Sequence, residues 1–329
     1  MAKIIVVGLG PLGIKTVQFA AERASLEILG AVDIAPGLAG RDLGEHCGLP
    51  QMGVPIAPTM KAALGRKRAD CAILTTVSSL AKLEPQVSEA AALGLNVVST
   101  CEELIFPFQT APMIAARLDK VCRAHGVSCL GTGVNPGFLM DLLPAVLTAV
   151  SQDVRKMTVL RVQDASVRRV PFQQKIGAGL TQAEFRCRQA EGTLRHVGLT
   201  ESVHLLAHAM GWQLTKVTES LKPVLATEEV RGGYKVIAPG MARGVEQIGR
   251  GYVGGREVIK LHFRAAVGEA RSFDRIEVKG RPDTVSEIAG GVHGDVATCA
   301  IVLNAVRSVV AAAPGLRTML DVPAVTYSG

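Results

Sequence analysis

Residues 3–13 read KIIVVGLGPLG, and this stretch decides the fold of the first part of the chain. An apolar run rich in β-branched residues ends at Gly8, and helical spacing follows from about Leu12. A GxGxxG turn between a strand and a helix predicts a dinucleotide-binding βαβ unit. In such a unit Gly8 permits the tight turn, Gly10 leaves room for a pyrophosphate, and Gly13 lets helix and strand approach.

The turn also predicts which residues contact a nicotinamide dinucleotide. Five of them lie at the helix N-terminus, where free N–H groups bind anions: Gly8, Gly10, Pro11, Leu12 and Gly13. Asp33 ends the next predicted strand, 26–33, and we expect its carboxylate to accept hydrogen bonds from the adenine ribose. Because that charge repels a 2′-phosphate, NAD is the expected cofactor. NADP stays possible because Arg41 follows a few residues later.

Apolar strands alternate with amphipathic helices as far as about residue 131. The predicted strands are 3–8, 26–33, 70–76, 96–100 and 127–131. This alternation predicts a parallel sheet covered by helices on both faces. Thr75 and Thr76 end the third of these strands, at the carboxyl edge where such sheets bind ligands. They are either cofactor contacts or turn residues.

A different pattern begins near residue 150. Partial two-residue alternation over 156–163, 258–267 and 273–280 predicts an open sheet with one solvated face. We therefore expect an α/β protein with a Rossmann-type doubly wound parallel sheet and a second α+β domain built on an open mixed sheet. A long apolar helix, 295–313, returns to the first domain. The expected domains are 1–134 plus 299–329 for the dinucleotide, and 135–298 for substrate and oligomerisation.

Composition excludes several classes of protein. The chain has 329 residues, of which 48% are hydrophobic, so two domains are expected. The net charge is +7, but aromatics are only 4% and no nucleic-acid-binding motif is present, so we expect no nucleic-acid partner. The seven cysteines include no CxxC pair, and we expect no metal site. With no signal peptide and no apolar stretch of membrane length, the protein is expected to be cytoplasmic and not membrane-bound.

Two adjacent acids, Glu102 and Glu103, follow the predicted strand 96–100 directly. They either begin a helix, where acids favour the first turn, or one of them acts in chemistry. A glycine-rich turn, 131–137, then leads through Asn135 to the predicted end of the first domain. A hinge of this kind is expected to place Asn135 at the domain cleft.

Several motifs in order resemble the 2,4-diaminopentanoate dehydrogenase family, part of the wider dihydrodipicolinate reductase-like group with amine dehydrogenases as relatives. They are STCEEL (99–104), GTGVNPGFLMDLLP (131–144), RHVGLTES (195–202), GDVATCAIVLNAV (294–306) and APGLRTMLDVP (313–323). The resemblance implies NAD(P)-linked oxidative deamination of an amine or diamino acid to a ketone and ammonia, and the reverse reductive amination. It also implies that Glu102 is the acid/base group and that Asn135, Arg161 and His196 contact the substrate.

The chemistry of amine oxidation supports the assignment of Glu102 independently of the resemblance. Hydride leaves a carbon that bears nitrogen only when the amine is neutral, so a nearby carboxylate must accept the ammonium proton. The same negative charge stabilises the cationic iminium. Glu103 is then expected to begin the following turn. Arg161 either binds a substrate carboxylate through two hydrogen bonds or forms a surface salt bridge.

Two other functions are weighed against this one. A dihydrodipicolinate reductase-type enzyme would reduce a C=C or C=N bond. The motif of that enzyme requires two adjacent histidines, and none of the seven histidines of this chain is adjacent to another. A non-catalytic NAD-sensing protein is the alternative of a different class, but the second domain shows no helix-turn-helix signature. We expect a homodimer that acts on a small amine or amino acid.

Overall fold

The computed structural model describes residues 1–194 and 197–329. These residues form two compact units, Met1–Phe138 with His293–Gly329, and Leu139–Val292. The functions that the sequence assigned to two domains stay predictions. His196 lies outside the described residues.

The elements of the first unit begin with β1 (Ala2–Val7), α1 (Pro11–Ala21), β2 (Leu26–Val32), α2 (Leu43–His46), β3 (Ile56–Ala57), α3 (Met60–Leu64), β4 (Cys71–Leu74), α4 (Leu80–Ala92), β5 (Asn96–Ser99), α5 (Pro107–Thr110), α6 (Pro112–Ala124) and β6 (Ser128–Gly131). The second unit contains α7 (Leu142–Leu147), β7 (Asp153–Asp164), α8 (Val170–Lys175), α9 (Gln182–Ala190), α10 (Leu199–Ala209), β8 (Lys216–Leu225), β9 (Ala242–Val253), β10 (Arg256–Ala266), β11 (Phe273–Arg281) and β12 (Thr284–Ala289). The chain then returns to the first unit with α11 (Gly294–Val310) and β13 (Gly315–Arg317).

A parallel sheet forms the first unit, with strand order β13-β6-β5-β4-β1-β2-β3. Its central strand β1 is buried on both faces, since Ile4, Ile5 and Val6 are all fully inaccessible. Such two-sided burial explains why the strand reads as a continuous apolar run. The predicted Rossmann-type fold is confirmed. Because the sheet is parallel, the carboxyl ends of its strands meet at one edge, and that edge carries the candidate site.

Two short strands of this sheet, β3 and β13, were missing from the sequence prediction, and β13 spans only three residues. β3 spans only two residues inside the polar, glycine-rich stretch 34–69, and two residues are too few to show any periodicity. The strand that precedes the acid pair is therefore β5, and not the fourth as predicted. Its place in the sheet, beside β4 and β6, is given by the pairing.

A mixed sheet forms the second unit, in the order β12-β11-β7-β10-β9-β8. Only β7 and β10 pair in parallel, and the other neighbours are antiparallel. Helix α10 packs closely on β9, because Gly249 and Gly251 lie against the side chains of Leu199 and Val203. The α+β prediction is confirmed. Helix α9 begins with a capping box, in which Thr181 and Glu184 bond each other's backbone. In the part of the chain that the structure describes, no helix has the length and apolar character to cross a membrane.

Candidate active site

Three glycines of the turn after β1 meet three different surroundings. Gly8 has φ +90°, and a Cβ on it would lie 3.0 Å from the carbonyl oxygen of Thr75. A Cβ on Gly13 would lie 1.9 Å from the carbonyl oxygen of Gly8, so only glycine allows α1 to approach the strand. Gly10, in contrast, has φ −67°, and a Cβ on it would meet no other atom within 4 Å among the described residues. The open space therefore lies at the middle glycine, where a pyrophosphate approaches the backbone in this class of fold.

The strand-end threonines make contacts with the protein itself. The Thr75 hydroxyl donates to the carbonyl oxygen of Gly8 at 2.7 Å, which ties the end of β4 to the glycine turn. The Thr76 hydroxyl donates to Oε1 of Gln86 at 2.7 Å. These bonds give both residues a structural role at the turn. A direct cofactor contact from either stays a prediction.

Asp33 follows β2 and is bonded to the same turn. Its Oδ2 accepts a hydrogen bond from the Leu9 N–H at 2.6 Å, and Oδ1 accepts one from the Ala35 N–H at 2.8 Å. A carboxylate has about four acceptor positions, so each oxygen keeps capacity for a further donor. An open middle glycine, a helix N-terminus and a partly buried carboxylate after β2 together fit a dinucleotide.

The segment after β5 is held by its own backbone and by Ser99. The Ser99 hydroxyl donates to the Leu74 carbonyl at 3.2 Å and accepts from the Cys101 N–H at 3.1 Å. A short 3₁₀ turn then spans Glu102–Leu104. Leu104 is buried, and a Cβ on Gly131 at the end of β6 would lie 2.8 Å from its carbonyl carbon. The turn is thus packed firmly against the neighbouring strand.

Glu103 of this turn contacts the start of α4. Oε2 of Glu103 accepts a hydrogen bond from the Leu80 N–H at 2.8 Å, at the first residue of α4. The N-cap residue of that helix, Ser79, makes no side-chain capping bond, so Glu103 supplies one. Glu102 begins the 3₁₀ turn and is partly buried. Burial first, and then the charge of Glu102, raise the pKa of the Cys101 thiol to about 12, which keeps that thiol neutral.

The strand order brings the predicted site residues to one edge. The glycine turn follows β1, Thr75 follows β4, and β5 leads to Glu102. Two strand spacings of about 4.8 Å separate β1 from β5. A molecule bound at the glycine turn and extending about 10 Å along the edge therefore comes to the end of β5, from which the chain leads to Glu102.

Asn135 lies in the loop that follows β6. The loop continues the ladder to β5, because the Thr132 N–H donates to the Ser99 carbonyl at 2.9 Å. The Val134 N–H donates to the Thr298 hydroxyl of α11 at 3.3 Å, which fixes the other side of the loop. Asn135 is partly buried, and its role as a substrate contact stays a prediction.

Arg161 lies in β7 with only 2% of its surface exposed, so the salt bridge that the sequence placed at the surface is buried. Its Nη1 donates to Oδ1 of Asp274 at 2.6 Å and its Nη2 to the carbonyl of Val292 at 2.9 Å. Burial lowers the pKa of Arg161, and the charge of Asp274 opposes that shift. A guanidinium already engaged in this way argues against the predicted clamp on a substrate carboxylate. Periodicity could not reveal this, because Asp274 is 113 positions away.

The two sheets and the glycine turn define a two-part protein with a Rossmann-type nucleotide-binding fold. A model of the 2,4-diaminopentanoate dehydrogenase C-terminal domain matches residues 138–327, and a CoA-binding domain model matches residues 1–99. The 2,4-diaminopentanoate dehydrogenase of Acetoanaerobium sticklandii is 30% identical, over 98% of this chain and 93% of the relative. The chain belongs to the 2,4-diaminopentanoate dehydrogenase family, as the sequence resemblance predicted.

Solved structures agree on the fold. An amine dehydrogenase from Mycobacterium smegmatis superposes with a TM-score of 0.87 at 22% identity, covering 99% of this chain and 97% of that one. GenD2 from gentamicin A biosynthesis, solved in complex with NAD, gives a TM-score of 0.54 at 15% identity, covering 88% and 72%. Similarities at these identities show the fold alone.

Proposed function

We propose that this protein is a nicotinamide dinucleotide-dependent dehydrogenase that deaminates a 2,4-diaminopentanoate-like amine to the ketone and ammonia, and runs the reverse reductive amination. The observation that carries the proposal is the division of the acid pair. Glu103 caps α4, whereas Glu102 begins the turn at the carboxyl edge that also holds the glycine turn. The name of the 30% identical relative supports the same substrate class.

The cofactor would be held by the turn after β1. Gly8, Gly10, Pro11, Leu12 and Gly13 would surround the pyrophosphate, and Asp33 would accept hydrogen bonds from the adenine ribose. NAD is favoured over NADP because the Asp33 carboxylate repels a 2′-phosphate. The complex of GenD2 with NAD supports a dinucleotide at this fold. When bound, the cofactor supplies the hydride acceptor.

Glu102 would supply the proton chemistry. Its carboxylate would accept the proton of the substrate ammonium and pass it to solvent, so that the neutral amine could give up hydride from its carbon to the bound cofactor. The resulting iminium carries a positive charge, which the carboxylate stabilises. Glu102 would next accept a proton from the water that adds to the iminium carbon and return it to the nitrogen of the carbinolamine. It would then accept the hydroxyl proton as the C–N bond breaks, so that ammonia leaves and the ketone forms. The acting group in each step is Glu102, whose carboxylate charge stabilises the cationic iminium.

Substrate selection is proposed for the predicted contact His196. Arg161 is proposed instead as a structural residue, because its guanidinium is bonded to Asp274 and to the Val292 carbonyl. We further propose that the protein acts on a small amine as a homodimer in the cytoplasm.

Absorbance of NADH at its nicotinamide band tests the proposal. Purified protein is incubated with NAD and 2,4-diaminopentanoate, simple amines or amino acids, and with NADH, ammonia and the matching ketones. We expect turnover in both directions. Glu102→Gln should lower kcat by about 100-fold or more, while Glu103→Gln, the adjacent matched control, should retain most activity.

Three outcomes would contradict the proposal. Turnover by Glu102→Gln at the wild-type rate would remove the assigned role. Reduction of a cyclic C=N or C=C substrate without any amine activity would favour the dihydrodipicolinate reductase-type reaction. Tight NAD binding without turnover of any substrate would favour an NAD-sensing protein.

A further inference from the structure

Two buried polar atoms in the loop after β6 are left without a hydrogen-bond partner. Across residues 1–194 and 197–329, nothing bonds Oγ1 of Thr132 or Nδ2 of Asn135. Thr132 is only 1% exposed. Because buried donors and acceptors are almost always bonded in native proteins, two such atoms within four residues point to a ligand that completes them.

The loop is compact, so its conformation holds both side chains in place. A Cβ on Gly137 would lie 2.5 Å from the backbone nitrogen of Gly133, which shows how closely the chain folds back. The bond from Thr132 N–H to the Ser99 carbonyl holds one end beside β5. The bond from Val134 N–H to the Thr298 hydroxyl holds the middle. A fixed loop of this kind is suited to orient a bound group.

The chemistry of the two atoms selects a class of ligand. Nδ2 of Asn135 is a donor and requires an oxygen acceptor, whereas the Thr132 hydroxyl can accept an N–H. A primary carboxamide presents both an oxygen and an N–H group. A carboxylate also presents oxygens, but a buried carboxylate requires a positive charge, and the loop GTGVNPG at 131–137 contains no cation.

We propose that Thr132 and Asn135 bind the carboxamide of the nicotinamide ring. This rests on the proposed function, which supplies the cofactor. The glycine turn follows β1 and Asp33 follows β2, so the adenine half extends toward β2 and the nicotinamide half toward β4, β5 and β6. Nδ2 of Asn135 donates to the carboxamide oxygen, and the carboxamide N–H donates to Oγ1 of Thr132. The ring is thereby oriented beside the end of β5, which leads to Glu102, and Asn135 serves the cofactor instead of the substrate contact predicted from the sequence.

Calorimetric titration with three ligands tests this assignment without catalysis. NAD carries the whole carboxamide, 3-acetylpyridine adenine dinucleotide keeps the carbonyl but lacks the N–H, and ADP-ribose lacks the ring. Thr132→Val should lower the affinity for NAD by about 2- to 12-fold and leave the affinities for the other two ligands unchanged. Asn135→Leu should lower the affinity for both dinucleotides by a similar factor and leave the affinity for ADP-ribose unchanged.

A matched control comes from the second unit. Oγ of Ser151 is also buried without a partner among the described residues, so Ser151→Ala removes a comparable hydroxyl outside the loop and outside the dinucleotide-binding unit. It should change none of the three affinities. The melting temperature of ligand-free Thr132→Val should not fall, because replacing an unbonded buried hydroxyl by a methyl group is neutral or stabilising. A purely structural Thr132 would lower it.

The outcomes separate the two proposals. Wild-type affinity for NAD in both Thr132→Val and Asn135→Leu would overturn the carboxamide site while the proposed function stands. A raised KM for the amine in Asn135→Leu, with unchanged NAD affinity, would assign the loop to the substrate and overturn it as well. Failure of the wild-type protein to bind either NAD or ADP-ribose would overturn the proposed function, and the carboxamide site with it.

Discussion

Oε2 of Glu103 accepts a hydrogen bond from the backbone N–H of Leu80 at 2.8 Å, which joins the turn after β5 to the start of α4. The bond explains why a chain places two acids side by side at this point. One acid completes a helix that its own N-cap residue does not cap. The other occupies the position at the carboxyl edge where the proposed chemistry needs a carboxylate.

Removing the Glu103 side chain should affect stability and spare chemistry. We expect Glu103→Ala to lower the free energy of unfolding by about 1 kcal/mol, the usual cost of a lost N-cap, with kcat within about twofold of wild type. Urea unfolding and steady-state rates measure the two quantities. Thr59→Ala is the benchmark, because the Thr59 hydroxyl caps α3 by accepting from the Ala62 N–H. A large loss of kcat in Glu103→Ala would assign the catalytic role to the wrong acid.

The glycines of the turn should divide into a structural one and a ligand-binding one. Gly13→Ala places a methyl 1.9 Å from the Gly8 carbonyl oxygen and should cost about 3 kcal/mol or more of stability. Gly10→Ala meets open space, so it should cost less than about 1 kcal/mol.

NAD binding, in contrast to stability, should be strongly affected by Gly10→Ala. Because the added methyl blocks the approach of a pyrophosphate to the backbone, Gly10→Ala should weaken NAD by roughly tenfold or more. Thermal unfolding and NAD titration on the same preparations separate the two effects. Unchanged NAD affinity in Gly10→Ala would argue against the turn as the pyrophosphate site.

Neutralising Asp33 should relax cofactor choice. Asp33→Asn keeps an oxygen acceptor for the Leu9 N–H but removes the charge that repels a 2′-phosphate. We expect wild type to prefer NAD, and the variant to shift the ratio of NADP to NAD affinity by roughly tenfold toward NADP. Asp70→Asn is the control, because Asp70 accepts from the Lys3 N–H at the opposite, amino edge of the sheet. A wild-type preference for NADP would contradict the argument from Asp33.

Breaking the pair of Arg161 and Asp274 should destabilise the second unit. Arg161→Met leaves a buried carboxylate uncompensated, and we expect a loss of about 3–5 kcal/mol. Asp274→Asn in the same chain removes that charge and should restore part of the loss. Chemical denaturation of the single and double variants measures this coupling. If Arg161→Met instead kept full stability and raised KM for carboxylate substrates alone, the clamp predicted from the sequence would be right.

The predictions from sequence succeeded where a pattern is local. The glycine turn and the apolar strands are each encoded within a few consecutive residues, because strand periodicity and backbone freedom are local properties. The prediction failed for β3 and β13, which are too short to show a period. It also failed for the surroundings of Arg161, because Asp274 reaches it only through the pairing of β7 with β11.

The sequence by itself determined a Rossmann-type unit, a second α+β unit, and a carboxyl edge at which the glycine turn and the acid pair meet. Only the tertiary structure decided which acid is committed to a helix cap, since the Leu80 N–H lies 23 positions from Glu103. Only the tertiary structure also exposed the unsatisfied Thr132 and Asn135, because hydrogen-bond satisfaction depends on every neighbour in space and not on neighbours in the chain.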